Sequence, residues 1–399
     1  MLGHGGNTST VVSETSAKLA RDPRNALALR ARSSAYYLSN EVSQARRDAE
    51  EAERLLARPG SADEYEARCY VRTRLAKTDE AVSDCTRAIE LDPKYASAYN
   101  SRGNAYQDKV EYDRAIADYN KVIELDPKFA VSYANRAGAY IGKRDYDSAI
   151  ASSDKAIELY AGSARAYVNR GLAYENKRDY DRAIADYNKA IELEPTFAWA
   201  SYNRGNAYLD KGDYNRAIAD YDKAIELDPK YAWAYNSRGN AYLYKADYNR
   251  AITNYDKAIE LDPKFAWAYN SRGLAYHNKR DYNRAIADYD KAIELDPKYV
   301  SAYFNRGLAY YNKRDDDSAI ADYNKAIELD PKYTWAYNNR GVAYADKRDY
   351  DRAIADYSKA IELDPKYELA YNNRAGAYAA TGDGERAAAD RQKANELKK

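Results

Sequence analysis

The chain of 399 residues balances 63 lysines and arginines against 63 aspartates and glutamates, so its formal net charge is zero and it shows no basic footprint for nucleic acid. It has no apolar run of about 18 residues, the length that spans a bilayer. With 2 histidines and 2 cysteines, nucleophilic and metal chemistry have little to draw on, while 44 tyrosines against 4 phenylalanines announce an unusual core.

Prolines at 59, 93, 127, 195, 229, 263, 297, 331 and 365 stand 34 residues apart, except where Ala161 takes the expected place. This is the signature of a repeat array, and Pro23 opens it. Residues 1–25 are a tail and a half repeat. The tail, with His4, lacks a basic n-region and a long apolar h-region, so the expected compartment is the cytoplasm, with the periplasm left open if the N-terminus is processed. "VVSETSAKLARDP" aligns with the second half of a repeat, so a lone helix is expected to leave an apolar flank through Val12 and Leu19. Residues 26–95 make two divergent repeats. Cys69 and Cys85 replace a small residue of one helix and an aromatic of the next, which should face each other. A disulfide and a reduced buried pair both fit. Residues 96–163 are two repeats ending in a joint without proline, and 164–367 are six near-identical ones. Residues 368–399 form a capping repeat, with Arg391 and Asn395 at apolar registers.

The unit "AWAYNSRGNAYLYKADYNRAITNYDKAIELDP" predicts two helices. Tyr235, Gly239 and Tyr242 share one face of the first, and Ala251, Ile252, Tyr255, Ala258, Ile259 and Leu261 one face of the second. Asp247 is placed to cap the second helix, and Asp262-Pro263 to stop it. On Tyr235, Gly239, Tyr242, Ala251, Tyr255, Ala258 and Pro263, recurring in register, the chain resembles the tetratricopeptide repeat (TPR) family. The resemblance implies an all-α fold, a right-handed superhelical α-solenoid of antiparallel helix pairs, with about eleven repeats after the half repeat. It also implies that first helices line a concave groove.

One departure is constant. Where the family usually has leucine, this chain has Arg102, Arg136, Arg170, Arg204, Arg238, Arg272, Arg306, Arg340 and Arg374. Asp118, Asp186, Asp220, Asp288, Asp322 and Asp356 on the second helices, or Ser152 and Asn254 in their place, are the natural partners. A structural ladder, as in Arg204 with Asp220 and Arg306 with Asp322, is preferred to a phosphate site.

Trp233 lies about 200° around its helix from Tyr235 and faces away from the partner helix. All four tryptophans, Trp199, Trp233, Trp267 and Trp335, share this register, with Ser301 interrupting the row. They should stand roughly 10 Å apart along the groove, a spacing suited to an extended peptide. Tyr202, Phe304, Leu172, Leu274, Leu308, Val342, Asn206 and Asn240 vary the same face. Beside it runs an amide and hydroxyl row, Asn135, Asn169, Asn203, Ser237, Ser271, Asn305, Asn339 and Asn373, able to satisfy a peptide backbone. The competing readings are that the tryptophans stack on the aromatics after the prolines, such as Tyr231 or Phe265, and that the asparagines bond neighbouring repeats. In some members of the family a lysine and arginine clamp on this face takes acidic C-termini. Its registers here hold Asn100, Ala134, Val168, Asn236 and Asn270, which points away from that specificity.

No catalytic residue, cofactor site or metal ligand set is expected, and Asp315, Asp316 and Asp317 read as a capped turn. The expected function is a non-enzymatic scaffold binding an extended peptide or protein segment in the concave groove, with neither nucleic acid nor membrane as partner. The alternatives are a homo-oligomer or filament built through the N-terminal end, and the sensing arm of a larger enzyme or complex.

Overall fold

The computed structural model describes residues 8–22, 24–38 and 41–398; His4 and Pro23 lie outside the described residues. Among these residues, 23 α-helices run from Thr8–Arg21 to Gly384–Leu397, and there is no strand. The chain divides into two compact units, Met1–Lys211 and Gly212–Lys399, each an all-α solenoid of paired adjacent helices.

One repeat shows why the sequence folds this way. Ala232–Tyr244 and Tyr248–Leu261 are joined by Lys245, Ala246 and Asp247. Ala246 takes the left-handed conformation at φ 56°, which lets the Asp247 N–H donate back to the Tyr242 carbonyl at 2.9 Å. Asp247 then caps the second helix, its carboxylate accepting from the Arg250 N–H at 3.1 Å. Arg280, Arg314 and Arg348 take the same conformation, which costs an L residue roughly 1–2 kcal/mol. At the other end, Asp262 accepts from the Lys264 N–H at 3.0 Å, and Pro263 has no N–H with which to continue the helix. The joint without proline keeps this turn by other means. The Ser163 hydroxyl accepts from the Ala166 N–H, and its own N–H reaches the Tyr160 carbonyl.

The core is built on second-helix tyrosines. Tyr255 is fully buried with its ring on Gly239, where an added Cβ would stand 2.5 Å from Cε1. Gly273 seats Tyr289, Gly307 seats Tyr323 and Gly341 seats Tyr357; in the first unit Gly103 seats Tyr119 and Gly171 seats Tyr187. Burying such a ring contributes about 1.5–3 kcal/mol. Tyr235 and Tyr242, expected on the core face, are only half-buried. Arg238 lies 5.3 Å over the Tyr235 ring, and Arg250 lies 4.7 Å over the Tyr242 ring.

The arginines form the expected ladder and go one step beyond it. Arg306 donates through Nε and Nη2 to both oxygens of buried Asp322, at 2.8 and 2.6 Å. Its Nη1 donates to Asp290 of the preceding repeat at 2.5 Å. Arg170 and Arg272 repeat the bridge on Asp186 with Asp154 and on Asp288 with Asp256. Ser152 and Asn254 accept from Arg136 and Arg238 as anticipated. Each of these arginines therefore fastens two successive second helices. A further set of rungs has no counterpart in the sequence reading. The lysine closing a first helix reaches back 30 residues to the start of the preceding second helix, as in Lys109–Asp79 at 2.6 Å and Lys313–Asn283 at 2.7 Å.

Two expectations about the N-terminal region meet their outcome here. Leu19 is buried against Leu29, Ala49 and Ala52, so helix Thr8–Arg21 turns its apolar stripe onto the following repeat and the flank expected at Leu19 is covered. Cys69 and Cys85 are joined as a disulfide, with Cα atoms 5.4 Å apart and no exposure. The pair occupies the place where other repeats set a tyrosine on a glycine.

Candidate functional site

Within each unit the layering defines a face. First helices Ala232–Tyr244, Ala266–Asn278, Val300–Asn312, Thr334–Asp346 and Glu368–Ala380 each bring Cα atoms within 8 Å of the next, whereas among the described residues no two second helices do. The first-helix layer is thus the tighter, inner side of the curve.

The tryptophan register opens onto that side in the second unit. Trp233 is 45% exposed, Trp267 53% and Trp335 56%, and Leu369, at the same register of the last repeat, is 50% exposed. Leu369 was missed because its repeat reads as a cap, although the 34-residue period reaches it. Trp199, in the first unit, is half-buried beside Phe197 at 5.9 Å. The tryptophans also stack on the aromatics after the prolines. Trp233 lies 4.4 Å from Phe265, Trp267 6.4 Å from Tyr299, and Trp335 6.1 Å from Tyr333. Stacking and exposure coexist, one side of each indole being held while the other meets solvent. The expected spacing of roughly 10 Å describes the helix separation and not the rings. Trp233 and Trp267 lean together to 5.6 Å, edge to face, over buried Phe265.

One residue assigned to the groove, Phe304, turns inward. Phe304 is buried, 5.2 Å edge-on to Tyr333 and 5.9 Å from Tyr323, so it braces the fold beneath the face. Tyr202, Asn206, Leu172, Leu274, Leu308 and Val342 are half-buried on the first helices. Ser301, at the gap in the tryptophan row, is half-buried.

The amide row spends donors on the fold. Asn135, Asn305 and Asn373 donate from Nδ2 to Asn100, Asn270 and Asn338 of the preceding repeat, at 3.1, 3.0 and 2.9 Å. Asn169 donates to the Ala134 carbonyl, while Asn203 and Asn339 donate to the Trp199 and Trp335 carbonyls. Asn240 accepts from the buried Tyr255 hydroxyl at 2.8 Å. Ser237 is buried and Ser271 half-buried. Arg204 donates through Nη1 to Asn188 at 2.7 Å, and Asp220 is buried.

Of the groups considered for chemistry, His277 lies edge-on to Tyr282 at 5.3 Å, and burial pushes its imidazole below the usual histidine range. Asp315 caps helix Asp316–Leu329 through the Ser318 N–H, and Asp317 pairs with Lys347. No described helix is long and apolar enough to cross a membrane.

Family models described as tetratricopeptide repeat match residues 96–129, 130–162, 164–197, 186–219, 300–333 and 334–367, and one described as TPR repeat matches 205–245, 239–279 and 281–313. Among solved structures, MamA is 33% identical over 41% of this chain and 95% of its own, with a TM-score of 0.37. YrrB, described as a TPR protein with an unusual peptide-binding site, is 30% identical over 46% of this chain and 95% of its own, with a TM-score of 0.38. A tetratricopeptide repeat protein from Parabacteroides merdae is 20% identical over 61% of this chain and 97% of its own, with a TM-score of 0.50. No curated protein matches the chain.

Proposed function

The chain belongs to the tetratricopeptide repeat family, and we propose that it is a non-enzymatic scaffold whose inner, first-helix face binds an extended peptide or protein segment. The observation that carries this reading is the tryptophan register. Scattered exposed apolar side chains are ordinary, but three indoles about half exposed at one register, each beside a further aromatic ring, form a ready apolar contact surface. Bracing matters because a rigid aromatic loses little freedom when a ligand covers it. Asn135, Asn169, Asn305 and Asn373 contribute by fastening repeat to repeat. The test begins with a displayed random-peptide library selected on the full chain. Selected peptides should lose about 30-fold or more in affinity for the Trp233→Ala, Trp267→Ala, Trp335→Ala triple variant, as hot-spot indoles do. Retained affinity together with a collapsed melting temperature would assign the indoles to the fold alone.

A further inference from the structure

The lysine rungs of the two units differ in charge. In the first unit Lys109, Lys143, Lys177 and Lys211 pair with the carboxylates of Asp79, Asp113, Asp147 and Asp181. In the second unit three successive rungs have an amide instead. Lys245 donates to Asn215 at 2.5 Å, Lys279 to Asn249 at 2.5 Å and Lys313 to Asn283 at 2.7 Å, before Lys347 returns to a carboxylate on Asp317. All three lysines are exposed, and none forms an ion pair among the described residues. Exposed ion pairs contribute little to stability, so exchanging Asp for Asn at these turns leaves the fold nearly as it was and changes chiefly the charge. The amide oxygen still holds each ammonium in place while occupying one of its three N–H donors.

Two of these lysines converge on one place. Lys279, Arg280, Asp281, Tyr282, Asn283 and Lys313 line an open cleft of about 410 Å³ between successive inter-helix turns. Its charged lining is three cations against the carboxylate of Asp281. That carboxylate caps helix Tyr282–Leu295 and is already paired with Arg284, just as Asp247 is paired with Arg250 beside Lys245. The cleft therefore keeps a surplus of positive charge in a chain whose net charge is zero. It also lies apart from the tryptophan row. Trp267 is the second residue of helix Ala266–Asn278 and Lys279 follows its last, so a rise of 1.5 Å per residue sets them roughly 18 Å apart along the helix.

We propose that this turn edge of the second unit is a docking surface for an acidic peptide segment, whose carboxylates are taken by Lys279 and Lys313 at the cleft and by Lys245 one repeat earlier. Charge complementarity carries the assignment. An ammonium is a compact point charge that accepts a carboxylate without demanding one orientation, which suits a run of aspartates or glutamates better than a single rigid headgroup. A nucleic-acid backbone draws its affinity from many phosphate contacts and a strongly basic surface, and this short row in a neutral chain provides neither. The surface is separate from the groove and does not depend on what the groove binds.

The test uses the full chain and labelled oligoglutamate and oligoglutamine peptides, with binding read by fluorescence anisotropy at low ionic strength. Oligoglutamate should bind and oligoglutamine should not. Asn249→Asp combined with Asn283→Asp gives Lys279 and Lys313 the carboxylates that the first unit supplies, and should weaken oligoglutamate about tenfold or more without lowering the melting temperature. Lys279→Gln combined with Lys313→Gln should weaken it comparably. Lys109→Gln, at a rung of the first unit, should leave binding unchanged. Oligoglutamate that fails to bind the unaltered chain, that binds the Asn249→Asp, Asn283→Asp variant equally well, or that is lost as much on Lys109→Gln overturns the surface. A labelled single-stranded oligodeoxynucleotide bound as tightly as oligoglutamate would overturn the assignment to an acidic peptide.

Discussion

Two glycine substitutions with the same chemistry should move stability in opposite directions. At Gly273 an added Cβ would lie 2.7 Å from Cε1 and 2.9 Å from Cδ1 of Tyr289, whose ring is fully buried between the helices. Such overpacking costs about 1–3 kcal/mol, and alanine's better helix propensity returns about 1, so Gly273→Ala should lose up to about 2 kcal/mol. At Gly376, exposed on helix Glu368–Ala380, nothing lies within 4 Å of the Cβ position, so Gly376→Ala should gain about 1 kcal/mol. Stability in a repeat array is distributed over neighbours, so the assay is amide hydrogen exchange on the full chain, followed in peptides covering residues 266–295 and 368–397. Opening should accelerate by up to about 30-fold around Gly273 and slow several-fold around Gly376. If Gly273→Ala slows exchange as Gly376→Ala does, the glycine is not the seat of the tyrosine and the account of the core is wrong.

Three further expectations follow from single side chains. The Tyr289 hydroxyl is buried without a partner because Leu274 stands where Asn240 accepts from Tyr255; Tyr289→Phe should therefore be neutral or stabilising while Tyr255→Phe costs about 1 kcal/mol, as compared by local exchange. Arg306→Leu should cost about 3–5 kcal/mol by stranding buried Asp322, and adding Asp322→Leu should restore most of it; equal losses in the single and double variants would contradict the ladder. Glu175 accepts from the Tyr187 hydroxyl at 2.5 Å, and burial pushes its carboxyl up to about 7 from 4.5. A raised carboxyl stabilises fully below its unfolded value and loses that contribution as pH rises to about 7, so helices 164–193 should lose on the order of 2–3 kcal/mol of local stability across this window, and Glu175→Gln should flatten the profile, as followed by exchange corrected for the intrinsic rate.

Much of this was legible because the chain repeats itself. The 34-residue period fixed the helix pairs, and the recurrence of Arg on one helix with Asp on the next identified the ladder before any distance was known. Sequence spacing assigns a register but not the direction in which a long side chain leans. Trp233 and Trp267 therefore come closer than their helices, and Phe304 turns under the face it was expected to line. Contacts between one repeat and the next were equally invisible, since Lys109 reaching Asp79 depends on how the repeats pack.

All four tryptophans of the chain lie at one register, so tryptophan emission reports on the proposed binding row and on nothing else. The decisive measurement is a titration of the full chain with a library-selected peptide, exciting tryptophan selectively and following both the emission maximum and quenching by acrylamide. The account predicts a blue shift and reduced quenching that saturate with binding, because the peptide covers the half-exposed indoles of Trp233, Trp267 and Trp335. A peptide that binds with unchanged emission and unchanged quenching would contradict it.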